Sequence, residues 1–146
     1  TASREGEVAV GDIVNSVAGS DSNSCETMSY SAIPGVVYTN PEVAAVGLTL
    51  DGAVAAGHVG ARELTLPMAY SGRFVAENEG GAGLCKIVVA ADDKLLGVHL
   101  LGGPAGEMIW GAAASIERGD SLAELRRVIF PHPTVAEIIR ETLFSD

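Results

Sequence analysis

Two side chains near the carboxy-terminal end have types and spacing suited to proton transfer: His132 and Glu137, in Phe130-Pro131-His132-Pro133-Thr134-Val135-Ala136-Glu137. Imidazole is the side chain whose charge changes nearest neutral pH, and a carboxylate on one ring nitrogen leaves the other free to act as a base. Pro133 bars the helical conformation from its predecessor, so His132 is expected just outside the final helix. Glu137 is expected in the first turns of that helix, where a carboxylate folds back toward the N-terminus as capping carboxylates do. It would accept the Nδ1 proton of His132, fix the tautomer and leave Nε2 facing outward. A His and a Glu at this spacing are by themselves equally well explained as a capped helix beside an incidental His. The prolines on both sides raise the weight of the pair, because they fix the backbone around the ring.

The remaining reactive residue types form no comparable constellation. Cys25 and Cys85 are far apart, and neither CxxC nor CxxxxC occurs. Zinc and local redox-pair readings therefore lack support. Two free thiols in a reducing cytoplasm are favoured, and a Cys25–Cys85 disulfide stays open. His99 falls in an expected strand and reads as a packed core residue. His58 sits between two short elements and reads as exposed. Gly80, Gly81 and Gly83 read as a hairpin turn, and Arg126 and Arg127 as a solvated helix face. No GxGxxG opens a strand–loop–helix unit, so a dinucleotide cradle is not expected in this chain.

The elements that must position the pair follow from composition and periodicity. The chain has 146 residues, 47% of them hydrophobic and 19% charged, which suits one globular domain with a real core. A net charge of -10 argues against nucleic-acid partners and anionic membranes. No apolar run is long enough for a membrane-spanning helix. The start, Thr1-Ala2-Ser3-Arg4-Glu5-Gly6, does not resemble a signal peptide, and the missing initiator Met points to a longer parent.

Residues 1–18 carry Val8, Val10, Ile13, Val14 and Val17 at a spacing that predicts one helix. Residues 19–29 are small and polar and read as a flexible linker, so the domain is expected over 30–146. Val36–Thr39, Val43–Leu48, Val59–Leu66, Leu84–Ala90 and Leu95–Leu101 read as strands, the last two as an antiparallel hairpin. Thr49 and Gly57 bracket a short helix, which Gly52 weakens. Helices are then expected over 105–118, ending at Gly119, from Asp120 or Ser121 to Arg127, and over 133–144. Strands first and helices later predict an α+β domain, an antiparallel sheet flanked by helices. The 105–118 helix has one stripe of Ala105, Met108, Ile109, Ala112 and Ile116, while Trp110, Ala113 and Ala114 extend apolar character around it. A helix apolar nearly all round is expected to be buried on nearly all sides. Another part of the chain or a second subunit could cover the far face, and both remain open.

Several ordered segments resemble one family. Ala32-Ile33-Pro34-Gly35-Val36-Val37-Tyr38-Thr39-Asn40-Pro41-Glu42-Val43-Ala44 is followed by Gly47-Leu48-Thr49, Lys86-Ile87-Val88, Leu96-Gly97-Val98-His99-Leu100-Leu101-Gly102 and Ala105-Gly106-Glu107-Met108-Ile109. His132-Pro133-Thr134 with Glu137 closes the series. Together they resemble the carboxy-terminal dimerisation domain of pyridine-nucleotide disulfide oxidoreductases over most of residues 30–143, closest to the dihydrolipoamide dehydrogenase branch. Residues 1–18 look like that family's helix just before the domain. Gly11-Asp12 invites comparison with a Gly-Asp that holds the flavin chain in this family, but its surroundings fit the later helix better.

The resemblance implies that FAD, NAD and the redox disulfide belong to other parts of a longer parent, with none bound here. It implies a homodimer in which His132 enters the partner's site and exchanges a proton with dihydrolipoamide, carried on the lipoyl domain of a 2-oxoacid dehydrogenase complex. Glu137 would orient His132, and the backbone at His132 and Pro133 would approach the flavin. The fragment alone is expected to be inactive and to need no metal. Phe130 stands where many members of that branch have His, Pro131 where Ala is usual, and Gly52 where an acidic residue is common. These departures leave open a sister reductase of the glutathione or mercuric type. A stand-alone dimerisation or binding module without chemistry is the other reading.

Overall fold

The computed structural model describes residues 1–19 and 26–146. Five strands, β1 (Gly35–Val37), β2 (Val43–Gly47), β3 (Arg62–Pro67), β4 (Leu84–Val89) and β5 (Leu95–Leu101), form one sheet ordered β1-β2-β5-β4-β3. Every pairing is antiparallel, as the α+β reading predicts. Among the described residues the α-helices that accompany it are α1 (Ala2–Val17), α2 (Leu50–Ala55), α3 (Gly72–Glu77), α4 (Ala105–Arg118), α5 (Leu122–Leu125) and α6 (Glu137–Leu143).

Strand alternation sends one set of side chains to one face. Ala44 pairs with Leu100 and Val46 with Val98 across β2 and β5, Ile87 pairs with Val98, and Leu64 with Ile87. All of them are buried in the core. Helix α4 packs on β2 and β5, and α6 on β3 and β4, so both helices cover this face. The other face carries the cross-strand partners Ala45, His99, Lys86 and Thr65. Here His99 is half-buried, with Nε2 3.1 Å from the Leu48 carbonyl. That carbonyl comes so close to β5 that a Cβ on Gly97 would lie 2.0 Å from it. Only glycine permits this crossing.

Three helix ends follow the expected chemistry. Thr49 accepts the amide of Gly52, and Ser121 forms a full capping box with Glu124. Gly119 ends α4 in the left-handed conformation. The amino end of α4 is fixed from β2: Glu42 accepts the Gly106 amide at 3.0 Å through its carboxylate and the Gly102 amide through its carbonyl.

Other expectations need correction. The final helix begins at Glu137 and not at Pro133, because residues 134–136 form a tight turn first. A 3₁₀ turn over Met68–Tyr70 and helix α3 occupy a stretch that carried no predicted element. Its short length and Gly72 leave little periodicity to read. Helix α5 stops at Leu125, and Arg126 is not a solvated charge: its Nε donates to the Leu143 carbonyl at 2.7 Å and its guanidinium lies over the Phe144 ring. His58 is half-buried. The hydrophobic side chains Val10, Ile13, Val14 and Val17 of α1 are exposed. Cys85 is a buried free thiol, while Cys25 and part of the 19–29 stretch lie outside the described residues.

Helix α4 departs most from expectation. Ala105, Met108, Ile109 and Ala112 are buried against the sheet, but Trp110 is 71% exposed. The described residues therefore leave the far side uncovered. Between α4 and the segment that returns from α5 to α6 runs an apolar groove of about 770 Å³, lined by Trp110, Ala114, Leu125, Val128, Phe130 and Pro133 among others.

Candidate functional site

The sequence-predicted pair is assembled at the rim of that groove. His132 Nδ1 lies 2.9 Å from Glu137 Oε1 and 3.2 Å from Oε2. Its side chain is 80% exposed, whereas that of Glu137 is 23% exposed. Glu137 occupies the first position of α6 and reaches back one turn, where Oε2 accepts the Thr134 amide at 2.9 Å. The carboxylate thus serves the helix start and the imidazole together, as the capping argument predicts.

These bonds decide the protonation pattern. The Thr134 amide, and then the hydrogen bond to His132, hold the Glu137 carboxyl below the usual carboxylate range. An ionised carboxylate offers lone pairs only, so Nδ1 must be the donor. The neutral ring then keeps its lone pair on Nε2. Among the described residues Nε2 has no hydrogen-bond partner, which leaves it open to a group from outside the chain.

The loop that presents the ring is tied down on both sides. Thr134 Oγ1 donates to the Pro131 carbonyl at 2.7 Å, bridging His132 and Pro133. The Thr134 carbonyl accepts from Ser71 Oγ at 3.3 Å, and Ser71 is 1% exposed. Ser71 was not among the candidates read from sequence. Its signal, a Ser three residues before Phe74 at a helix start, was there to be read, since Ser71 Oγ also accepts the Phe74 amide.

Among the described residues there is no fit for a dinucleotide cradle. The sheet is antiparallel throughout, so it has no crossover βαβ unit. The nearest approach to a glycine-rich strand–helix junction is Gly102-Gly103 before α4, and there the Glu42 carboxylate already takes the helix amide that a phosphate would need. Among the described residues no cluster of three or more His, Cys, Asp or Glu could hold a metal ion, and no helix is long and apolar enough to cross a membrane.

Comparison with known proteins gives a consistent picture. Residues 33–143 match the family model for the pyridine nucleotide-disulphide oxidoreductase dimerisation domain. The chain is 40% identical over 119 residues to a mitochondrial dihydrolipoyl dehydrogenase of Schizosaccharomyces pombe, covering 81% of this chain and 23% of that protein. It is 42% identical over 110 residues to a dihydrolipoyl dehydrogenase of Thermus scotoductus, covering 75% and 23%. It therefore spans less than a quarter of the length of these relatives. Among solved structures, the HOCl-induced flavoprotein disulfide reductase RclA from Escherichia coli, as its Cu(II) complex, superposes with a TM-score of 0.75 at 26% identity, covering 90% of this chain and 29% of that one.

Proposed function

The chain belongs to the pyridine nucleotide-disulphide oxidoreductase dimerisation-domain family, and we propose that it serves as the carboxy-terminal part of a dihydrolipoamide dehydrogenase-like homodimer, supplying His132 and Glu137 to the partner subunit's active site. The observation that carries this reading is the exposed Nε2 on a ring whose Nδ1 is held 2.9 Å from an ionised carboxylate. Within one chain that base faces solvent, which suits a group that acts on a site lying elsewhere.

In the proposed step Nε2 takes the proton of a dihydrolipoamide thiol. The S–H bond breaks, its electron pair stays on sulfur as thiolate, and the ring becomes an imidazolium stabilised by Glu137. The reverse step returns the same proton. A base placed in this way contributes roughly 10²–10⁴-fold. FAD and NAD would be bound by other parts of a longer protein. This chain would offer the flavin only the backbone edge at His132 and exposed Pro133. By itself it would have no turnover. We place the longer protein in a reducing cytoplasm, where the buried Cys85 would stay a free thiol.

The uncovered Trp110 and the groove beside it favour a dimerisation role, which a stand-alone module without chemistry would share. The same domain of a sister reductase of the glutathione or mercuric type is the alternative within the enzyme class. The test is His132→Gln in the longer protein. Dihydrolipoamide turnover should fall by about 10²-fold or more with flavin still bound. Unchanged turnover would remove the base assignment.

A further inference from the structure

The dyad depends on a loop, and what fixes that loop comes from a distant part of the chain. Ser71 is one of few buried polar side chains, and neither helix packing nor the proposed chemistry requires its hydroxyl proton. Capping α3 uses only its lone pair, which accepts the Phe74 amide at 3.3 Å. The proton is directed to the Thr134 carbonyl at 3.3 Å. The amide of the same Thr134 binds Glu137 Oε2 at 2.9 Å, and its hydroxyl binds the Pro131 carbonyl at 2.7 Å. All three polar groups of Thr134 are therefore engaged, and each holds a different side of the His132 turn.

We propose that Ser71 is a positioning residue for the His132–Glu137 pair: through the Thr134 carbonyl it holds the turn whose amide fixes the Glu137 carboxylate, and so sets the tautomer of His132. This deepens the proposed function and rests on it for its catalytic meaning. With the Ser71 proton removed, the Thr134 carbonyl keeps only the Glu137 amide at 3.4 Å and loses its bond to the buried Ser71. The carboxylate then shares its time between solvent and the ring, and Nδ1–H loses its constant acceptor. A role limited to capping α3 would leave the ring untouched, because the two ends of Ser71's hydrogen bonding are separable.

The experiment uses the 146-residue chain and reads the His132 tautomer from ring ¹⁵N shifts of the neutral imidazole. In the unmodified chain the Nδ1–H form should predominate. In Ser71→Ala the ratio of Nδ1–H to Nε2–H should fall by about threefold to tenfold, the change in equilibrium that loss of one ordinary hydrogen bond carries. Ser71→Thr, which keeps the hydroxyl, should restore it. Should Ser71→Ala fail to fold, Ser71→Cys makes the same comparison, since its thiol fills the space but is a weak donor. An unchanged ratio in a folded Ala or Cys variant would overturn the proposal. So would a loss that Ser71→Thr fails to restore. The failure of the functional reading looks different: His132→Gln in the longer protein would keep full turnover while the tautomer still responded to Ser71.

Discussion

Trp110→Ala should weaken self-association of the chain by up to about three decades without loosening its fold. A Trp side chain has 150–250 Å² to bury. With 71% of its surface open, roughly 110–180 Å² is left to be covered by a second copy seated on the α4 groove. At about 25 cal/mol per Å² this is worth ~3–4.5 kcal/mol, in the range of an interface hot spot. That figure is an upper bound, because association also costs motional freedom. Stability of the monomer should change by only about 0.5 kcal/mol, since Trp110 contributes little to the core. Sedimentation velocity over a concentration series measures the dissociation constant, and urea unfolding measures stability. A single dissociation constant for both chains would refute the reasoning. So would an unmodified chain that stays monomeric at high concentration.

Three further outcomes follow from the geometry. Gly97→Ala should destabilise the chain by about 3 kcal/mol or more, because the added Cβ meets the Leu48 carbonyl at 2.0 Å and neither backbone can retreat; a urea midpoint near that of the unmodified chain would contradict the packing described. The Thr134 amide holds the Glu137 carboxyl below the usual carboxylate range, and Arg62 does the same for Asp146. Their stabilisation is thus present above the ordinary carboxylate range and lost as pH falls through the lower folded values, and Glu137→Gln should flatten the fall in urea midpoint below about pH 5, which an unchanged slope would refute. Burial pushes the Cys85 thiol up to about 12, so native protein at pH 8 should leave Cys85 unalkylated in peptide mapping while urea-unfolded protein is modified.

The sequence carried the sheet well where periodicity and turn chemistry agreed. Leu84–Val89 and Leu95–Leu101 are long, β-branched or aliphatic, and joined by a short acidic turn, and they form the central hairpin. Helix α4 was bounded by Gly119, whose left-handed backbone matches its role. The misses share a cause: short elements whose stability comes from tertiary contacts leave weak local patterns. Helix α3 is six residues long and is held partly by Ser71, whose second bond goes to residue 134. Arg126 looked like a solvated charge because nothing local announces that the Leu143 carbonyl and the Phe144 ring come to meet it. At the candidate site the pair itself was legible, since Pro133 and the helix start constrain it locally. Its brace was not, because the link from Ser71 to Thr134 spans half the domain.

The exposed base and the exposed Trp are not independent features. The segment that returns from α5 to α6 lines the groove with Val128, Phe130 and Pro133, and carries His132 between the last two. A second copy seated against Trp110 would therefore press on the same segment that holds the imidazole, and its approach would bring His132 toward whatever that copy presents at the groove's rim. On the proposed function, association and placement of the base are one event. This gives the apolar residue Phe130 a reason to stand two positions before His132: it adds contact area on the groove side of the turn while the dyad occupies the other. Phe130→Ser should then weaken self-association while leaving the His132 tautomer unchanged, whereas Ser71→Ala should do the reverse. If either variant moved both readouts together, the division of this turn into an association side and a chemical side would be wrong.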